Sequence, residues 1–119
     1  MFRLLKSFKY AIQGIRFYLN SGENVRIHFT ATLLVLVLGF WLKLHLTEWA
    51  LLILAISIVH ITEAINTAIE LLVDLISPEH NIRAGKIKDI AAGATLLAAI
   101  TSALIGCIIF TPLLLEKLF

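Results

Sequence analysis

Glu63-Ala64-Ile65-Asn66-Thr67-Ala68-Ile69-Glu70-Leu71-Leu72-Val73-Asp74 closes a long apolar run that begins at Trp49, with no proline or glycine between them. At roughly 100° per residue, Glu63, Glu70 and Asp74 fall within about 40° of one another, and Asn66 lies about 60° to one side. Three carboxylates and an amide therefore share one stripe of an otherwise apolar helix. Acidic groups at membrane depth are costly, so the stripe reads as a functional site facing protein or a water-filled interior. The competing reading is a solvated face where the helix leaves the bilayer.

Composition sets the class. Of 119 residues, 60% are hydrophobic and 15% charged, and the mean hydropathy is +0.95. A water-soluble domain of this size does not carry so much apolar surface, so the chain is expected to be an all-α integral membrane protein. Repeats and low-complexity segments are absent, and residues 1–119 read as one domain. The first apolar run is broken by Arg3, Lys6 and Lys9 and lacks a cleavage-site pattern, so no cleavable signal peptide is expected. The lone Cys107 lies in an apolar segment and reads as a small hydrophobe. A formal charge of +2 gives no reason to expect nucleic acid as a partner.

Outward from the stripe, the pattern predicts four helices. Residues 1–20 are amphipathic: Phe2, Leu4, Leu5, Phe8, Ile12, Ile15 and Leu19 take one side, and Arg3, Lys6, Lys9, Gln13 and Arg16 the other. This helix is too short and too charged to span, and it suits the membrane surface. Packing as a cap on the other helices is compatible with that. Asn20-Ser21-Gly22 breaks it. Spans are expected at 27–48, 49–76 and 89–111, the first and second meeting at an exit bracketed by Trp41 and Trp49. The second is expected to stop at Ser77-Pro78, and the third at Thr111-Pro112. Ala92, Thr95, Ala99, Ser102 and Gly106 mark a close-packing face on the third.

Five of the ten lysines and arginines precede the first span and three lie between the second and third, against Lys43 and Lys117 elsewhere. The positive-inside rule then places the N-terminus and the 79–89 connection in the cytoplasm, and the acidic stripe on the same side. The expected location is the inner (cytoplasmic) membrane, crossed several times.

Glu63 and Glu70 are seven residues apart, about 10 Å along the axis, too far for one small ion to be held easily by both. Such a pair suits two tasks, one carboxylate near an ion and one near a reacting group. Mg²⁺ favours a few carboxylates together with phosphate oxygens and water, so a stripe open to the cytoplasm suits a Mg·nucleotide complex. Glu63, deeper and less solvated, suits a general base. Asn66 can hydrogen-bond between them, and Lys88 and Asp89 can supply a cation for phosphate and a further polar partner. No G-x-x-x-x-G-K-[ST] loop is present, and neither is an H-R-D or D-F-G set. His60, one turn before Glu63, reads first as a packed, hydrogen-bonded histidine. Arg26 and His28 read either as phosphate contacts or as interfacial snorkelling groups.

The string E-A-x-N-T-A-I-E-x-x-x-D, followed by K-D-x-A-A-G-A at Lys88, resembles the prokaryotic diacylglycerol kinase family, and N-x-R-I-H at Asn24–His28 resembles its undecaprenol kinase branch. The resemblance implies a homotrimer of chains with one surface helix and three transmembrane helices. It implies transfer of the γ-phosphate of ATP to the hydroxyl of diacylglycerol or undecaprenol at the cytoplasmic interface, with Mg²⁺. On it, Glu63 would be the catalytic base and Glu70 a metal ligand, while Asn66, Asp74, Lys88, Asp89, Arg26 and His28 match polar site positions. The family's further metal-binding glutamate stands two residues before the asparagine of N-x-R-x-H. Here that position is Gly22, and Glu23 is the residue expected to serve. The rival from another class is a small oligomeric proton- or cation-conducting assembly with the stripe along its pore. Against it, Leu51–Val59 offers only Ser57 as a polar group. A non-catalytic scaffold is the third reading.

Overall fold

A computed structural model describes all residues from Met1 to Phe119. Four helices follow one another: α1 (Phe2–Leu19), α2 (Glu23–Leu42), α3 (Leu46–Ile76) and α4 (Ile82–Leu118). The last three are each long and apolar enough to cross a membrane. Only 13 of 119 residues are buried, and large side chains such as Leu34, Val37, Leu54, Leu97 and Ile108 stand exposed along the helices. So much uncovered apolar surface requires a non-aqueous surrounding or further chains.

The connections are short and their geometry explains where each helix stops. After α1, the Asn20 side chain donates to Arg16 O (2.8 Å) and the Ser21 hydroxyl to Tyr18 O (2.6 Å), closing the last carbonyls. α2 ends on Lys43 in the left-handed region (φ 54°, ψ 61°). Leu44 N–H then reaches back to Gly39 O and Lys43 N–H to Phe40 O, the paired bonds of a Schellman ending. The Glu48 carboxylate accepts from His45 N–H (3.0 Å) at the start of α3. α3 stops at Ile76 with Ser77 N–H on Val73 O, immediately before Pro78. Asn81 caps α4, its Oδ1 accepting from the Arg83 and Ala84 amides.

Five of the six span boundaries depart from the sequence reading. α2 begins at Glu23, ahead of residue 27, so the polar Glu23–His28 segment is its first turns, and it ends at Leu42, ahead of residue 48. α3 begins at Leu46, ahead of residue 49. α4 starts at Ile82, ahead of residue 89, and runs through Pro112 to Leu118, past the stop expected at Thr111-Pro112. A proline inside a helix forfeits one backbone bond. Leu113 and Leu114 offset that loss by packing on the cluster of Leu42, Leu44, Leu52, Ile109 and Phe110 at that end.

α4 packs along α3, with Ala55, Ala91 and Ala98 buried between them and the Ser102 hydroxyl donating to Ala55 O across the seam (2.7 Å). α2 lies more loosely against this pair. An apolar cleft of about 220 Å³ remains between the three, lined by Ala31, Val35, Ala55, Ile56, Ala99 and Ala103, with His28 at one end. α1 touches the bundle through its C-terminal end. Tyr18 is its only buried residue (8% exposed), while Phe8, Ile12 and Ile15 of its apolar stripe are more than half exposed.

Candidate functional site

The start of α2 and the second half of α3 form a polar pocket of about 310 Å³, lined by Ser21, Gly22, Glu23, Asn24, Glu63, Asn66, Thr67 and Glu70. Because α2 already begins at Glu23, the 21–24 segment stands opposite the acidic stripe. Glu23 is on the wall of this pocket, next to Gly22.

Glu63 is the one buried acid, at 7% exposed. Its Oε1 lies 3.2 Å from Nε2 of His28 across the α2–α3 contact. A buried carboxylate needs such a partner. Three and seven residues on, Asn66 donates from Nδ2 to Glu70 Oε1 (3.4 Å). That donation leaves Asn66 Oδ1 as an acceptor, and this oxygen is buried with no donor. An orphaned oxygen beside two carboxylates is what a hard cation or its water shell satisfies. No three acidic or imidazole groups converge tightly enough to close a cage on their own. The all-oxygen set of Glu23, Asn66 and Glu70 therefore fits Mg²⁺ that draws its other ligands from phosphate and water.

The remaining expected residues lie elsewhere. Lys88 Nζ bonds Asp74 Oδ1, tying α4 to α3. The pair lines a neighbouring hollow with Ser77, His80, Asn81 and Gly85. Arg26 faces a different hollow, with Leu19, Asn20, Phe29 and Thr30. Asp89 is exposed on α4 and lines none of these hollows.

Three polar residues outside the pocket lining, Tyr18, His60 and Thr32, bond to one another. His60 accepts or donates at both ring nitrogens, Nδ1 to the Tyr18 hydroxyl (2.8 Å) and Nε2 to Thr32 Oγ1 (2.9 Å). It is the packed, hydrogen-bonded histidine that its position suggested. The Tyr18 phenol is pushed up to about 12, first by its burial and then by the nearby Glu63 carboxylate.

The family profile for prokaryotic diacylglycerol kinase matches residues 9–110. The chain belongs to the prokaryotic diacylglycerol kinase family. Among its relatives, an undecaprenol kinase of Bacillus subtilis is 40% identical over 92% of this chain and 89% of its own length. A diacylglycerol kinase of Escherichia coli is 33% identical over 90% of this chain and 88% of its own. One of Helicobacter pylori is 33% identical over 82% and 77% respectively. This member of the family is thus a multi-pass membrane lipid kinase.

The pairing of His28 with Glu63 and the Tyr18–His60–Thr32 contacts of this lipid kinase have no signature in local spacing. Tyr18 carries one hint. It projects about 105° from the centre of the α1 apolar stripe, off the lipid-facing side of a surface helix.

Proposed function

We propose that the chain is an ATP-dependent kinase of the inner membrane that phosphorylates the primary hydroxyl of a membrane lipid at the cytoplasmic interface. The observation that carries this reading is the polar pocket of Glu23, Glu63, Asn66 and Glu70, linked to the apolar cleft by His28, which lines the cleft and lies 3.2 Å from Glu63. A lipid whose chain lies in that cleft presents its hydroxyl at the His28–Glu63 pair. Glu63 accepts the hydroxyl proton while the alcohol oxygen bonds to the γ-phosphorus and the bond to the β-phosphate bridging oxygen breaks, releasing ADP. His28 holds the carboxylate in the orientation that receives the proton. Glu23, Asn66 and Glu70 are the residues that would hold Mg²⁺, which supplies neutralisation of triphosphate charge. Lys88, held by Asp74, stands near the same end of the bundle as a cation for phosphate, with Asp89 and Arg26 as outer polar groups.

The distribution of lysine and arginine supports a cytoplasmic N-terminus and pocket. The exposed apolar stripe of α1 supports its lying on the membrane surface. The uncovered faces of α2–α4, and the family, support a homotrimer of single-domain chains. Nothing in the family or the pocket favours the conducting assembly. Of the two acceptors in the relatives' names, undecaprenol is favoured by the N-x-R-I-H segment. Radiolabelled ATP offered to the purified protein in micelles holding both lipids at equal concentration tests this. The label is expected chiefly in the polyprenol, and predominant labelling of diacylglycerol reverses the acceptor.

A further inference from the structure

The contacts around His60 have a direction. Thr32 Oγ1 lies 2.8 Å from His28 O and 2.9 Å from His60 Nε2. A hydroxyl carries one proton, and a carbonyl can only accept. Thr32 therefore donates to His28 O and accepts from His60, which places the imidazole proton on Nε2. The other nitrogen, Nδ1, is then an acceptor, and Tyr18 donates to it at 2.8 Å. The line runs Tyr18 to His60 to Thr32 to the His28 carbonyl, and it crosses α1, α3 and α2 in turn. The Tyr18 and His60 rings also meet edge to face, 6.1 Å apart at 81°.

Two facts give this line a consequence. Tyr18 is the only buried residue of α1, so the helix is fastened to the bundle mainly through this one side chain. Three residues further on, Ser21, Gly22 and Glu23 form a wall of the polar pocket. The second link between α2 and α3, His28 to Glu63, lies one helical turn away on both helices. Fastening Tyr18 therefore fixes the wall that faces Glu63 and Glu70.

We propose that Tyr18, His60 and Thr32 are positioning residues of the phosphoryl-transfer site, a hydrogen-bonded strap that holds α1 in place and with it the Glu23 wall of the metal–nucleotide pocket. The inference rests on the reading of that pocket given above. None of the three touches the reacting groups. They act through Glu23 and through the seating of His28 against Glu63.

Tyr18→Phe removes only the donor hydroxyl, and Thr32→Val keeps shape while removing the acceptor. Each variant is tested as the full-length protein in mixed micelles by two measurements, amide hydrogen exchange over residues 17–24 and separate KM values for Mg·ATP and for lipid. Faster exchange in that segment is expected, together with a rise in the Mg·ATP KM of about 3- to 10-fold, the size of one or two neutral hydrogen bonds. The lipid KM should stay within about twofold, which a general loss of structure would not respect. Unchanged exchange overturns the strap. Faster exchange with an unchanged Mg·ATP KM overturns its link to the site, as does an equal rise in both KM values. A parent protein that labels neither lipid contradicts the kinase reading instead, and hydrogen exchange alone then decides whether the strap exists.

Discussion

Glu63 sits at 7% exposure with one imidazole as its side-chain partner, and that pairing sets expectations for single substitutions. As the proposed base, it is expected to lose about 10²- to 10⁴-fold in kcat on Glu63→Gln, the range for general-base removal. His28→Ala removes the imidazole that lies 3.2 Å from this carboxylate, so steady-state assays should show kcat down by about 10- to 100-fold, the scale of a lost polar contact to a charged group. An unchanged kcat for His28→Ala removes its orienting role. Tyr18 makes a prediction in pH. Its phenol moves from 10.0 unfolded to about 12 in place, so the folded form holds the proton more tightly. The strap's contribution is then fully present below pH 10 and lost as pH rises through about 12. Ultraviolet tyrosinate absorbance of the parent minus that of Tyr18→Phe should show a step near pH 12. A step near 10 contradicts the burial of the phenol.

At the scale of elements, helix types and the acidic stripe were legible because both are local. Apolar runs, a 3.6-residue period and Ser77-Pro78 all act within a few residues. The reach of α4 through Pro112 was not legible, because packing of Leu113 and Leu114 on Ile109, Phe110 and their neighbours overrides the local cost of a proline. Nor were His28–Glu63 and Tyr18–His60–Thr32, which depend on how separate helices register. Asp89 shows the converse limit: its place beside Lys88 in sequence does not bring it to the hollow that Lys88 lines with Asp74. The α2–α3 connection gives a sharp test of packing. A methyl at Gly39 would stand 2.8 Å from Trp49 Cη2 and 3.1 Å from Leu44 Cδ1. Trp49 is also held against Phe40 at 4.8 Å between centroids, so its ring has little freedom to withdraw. Gly39→Ala is expected to destabilise the connection by about 1–3 kcal/mol, read as a lower midpoint in detergent-based unfolding. An unshifted midpoint means the Trp49 ring moves freely.

For the whole molecule, a chain that buries 13 of its 119 residues leaves most of its apolar surface to lipid or to further chains. Three spans enclose little on their own, and the pocket between α2 and α3 stays open on one side. The detergent-corrected mass of the purified protein is expected at three times the 13.2 kDa chain, and a single-chain mass that retains full activity contradicts the trimer. The account depends most on Glu63 being where the alcohol loses its proton. The most direct measurement is the rate of γ-phosphate transfer from labelled ATP to lipid by the parent and by Glu63→Gln, at matched amounts of folded, micelle-inserted protein. The parent should label lipid, and the variant should fall by at least about 10²-fold while its helical content and unfolding midpoint stay unchanged. A Glu63→Gln protein that transfers phosphate at the parent's rate contradicts the account.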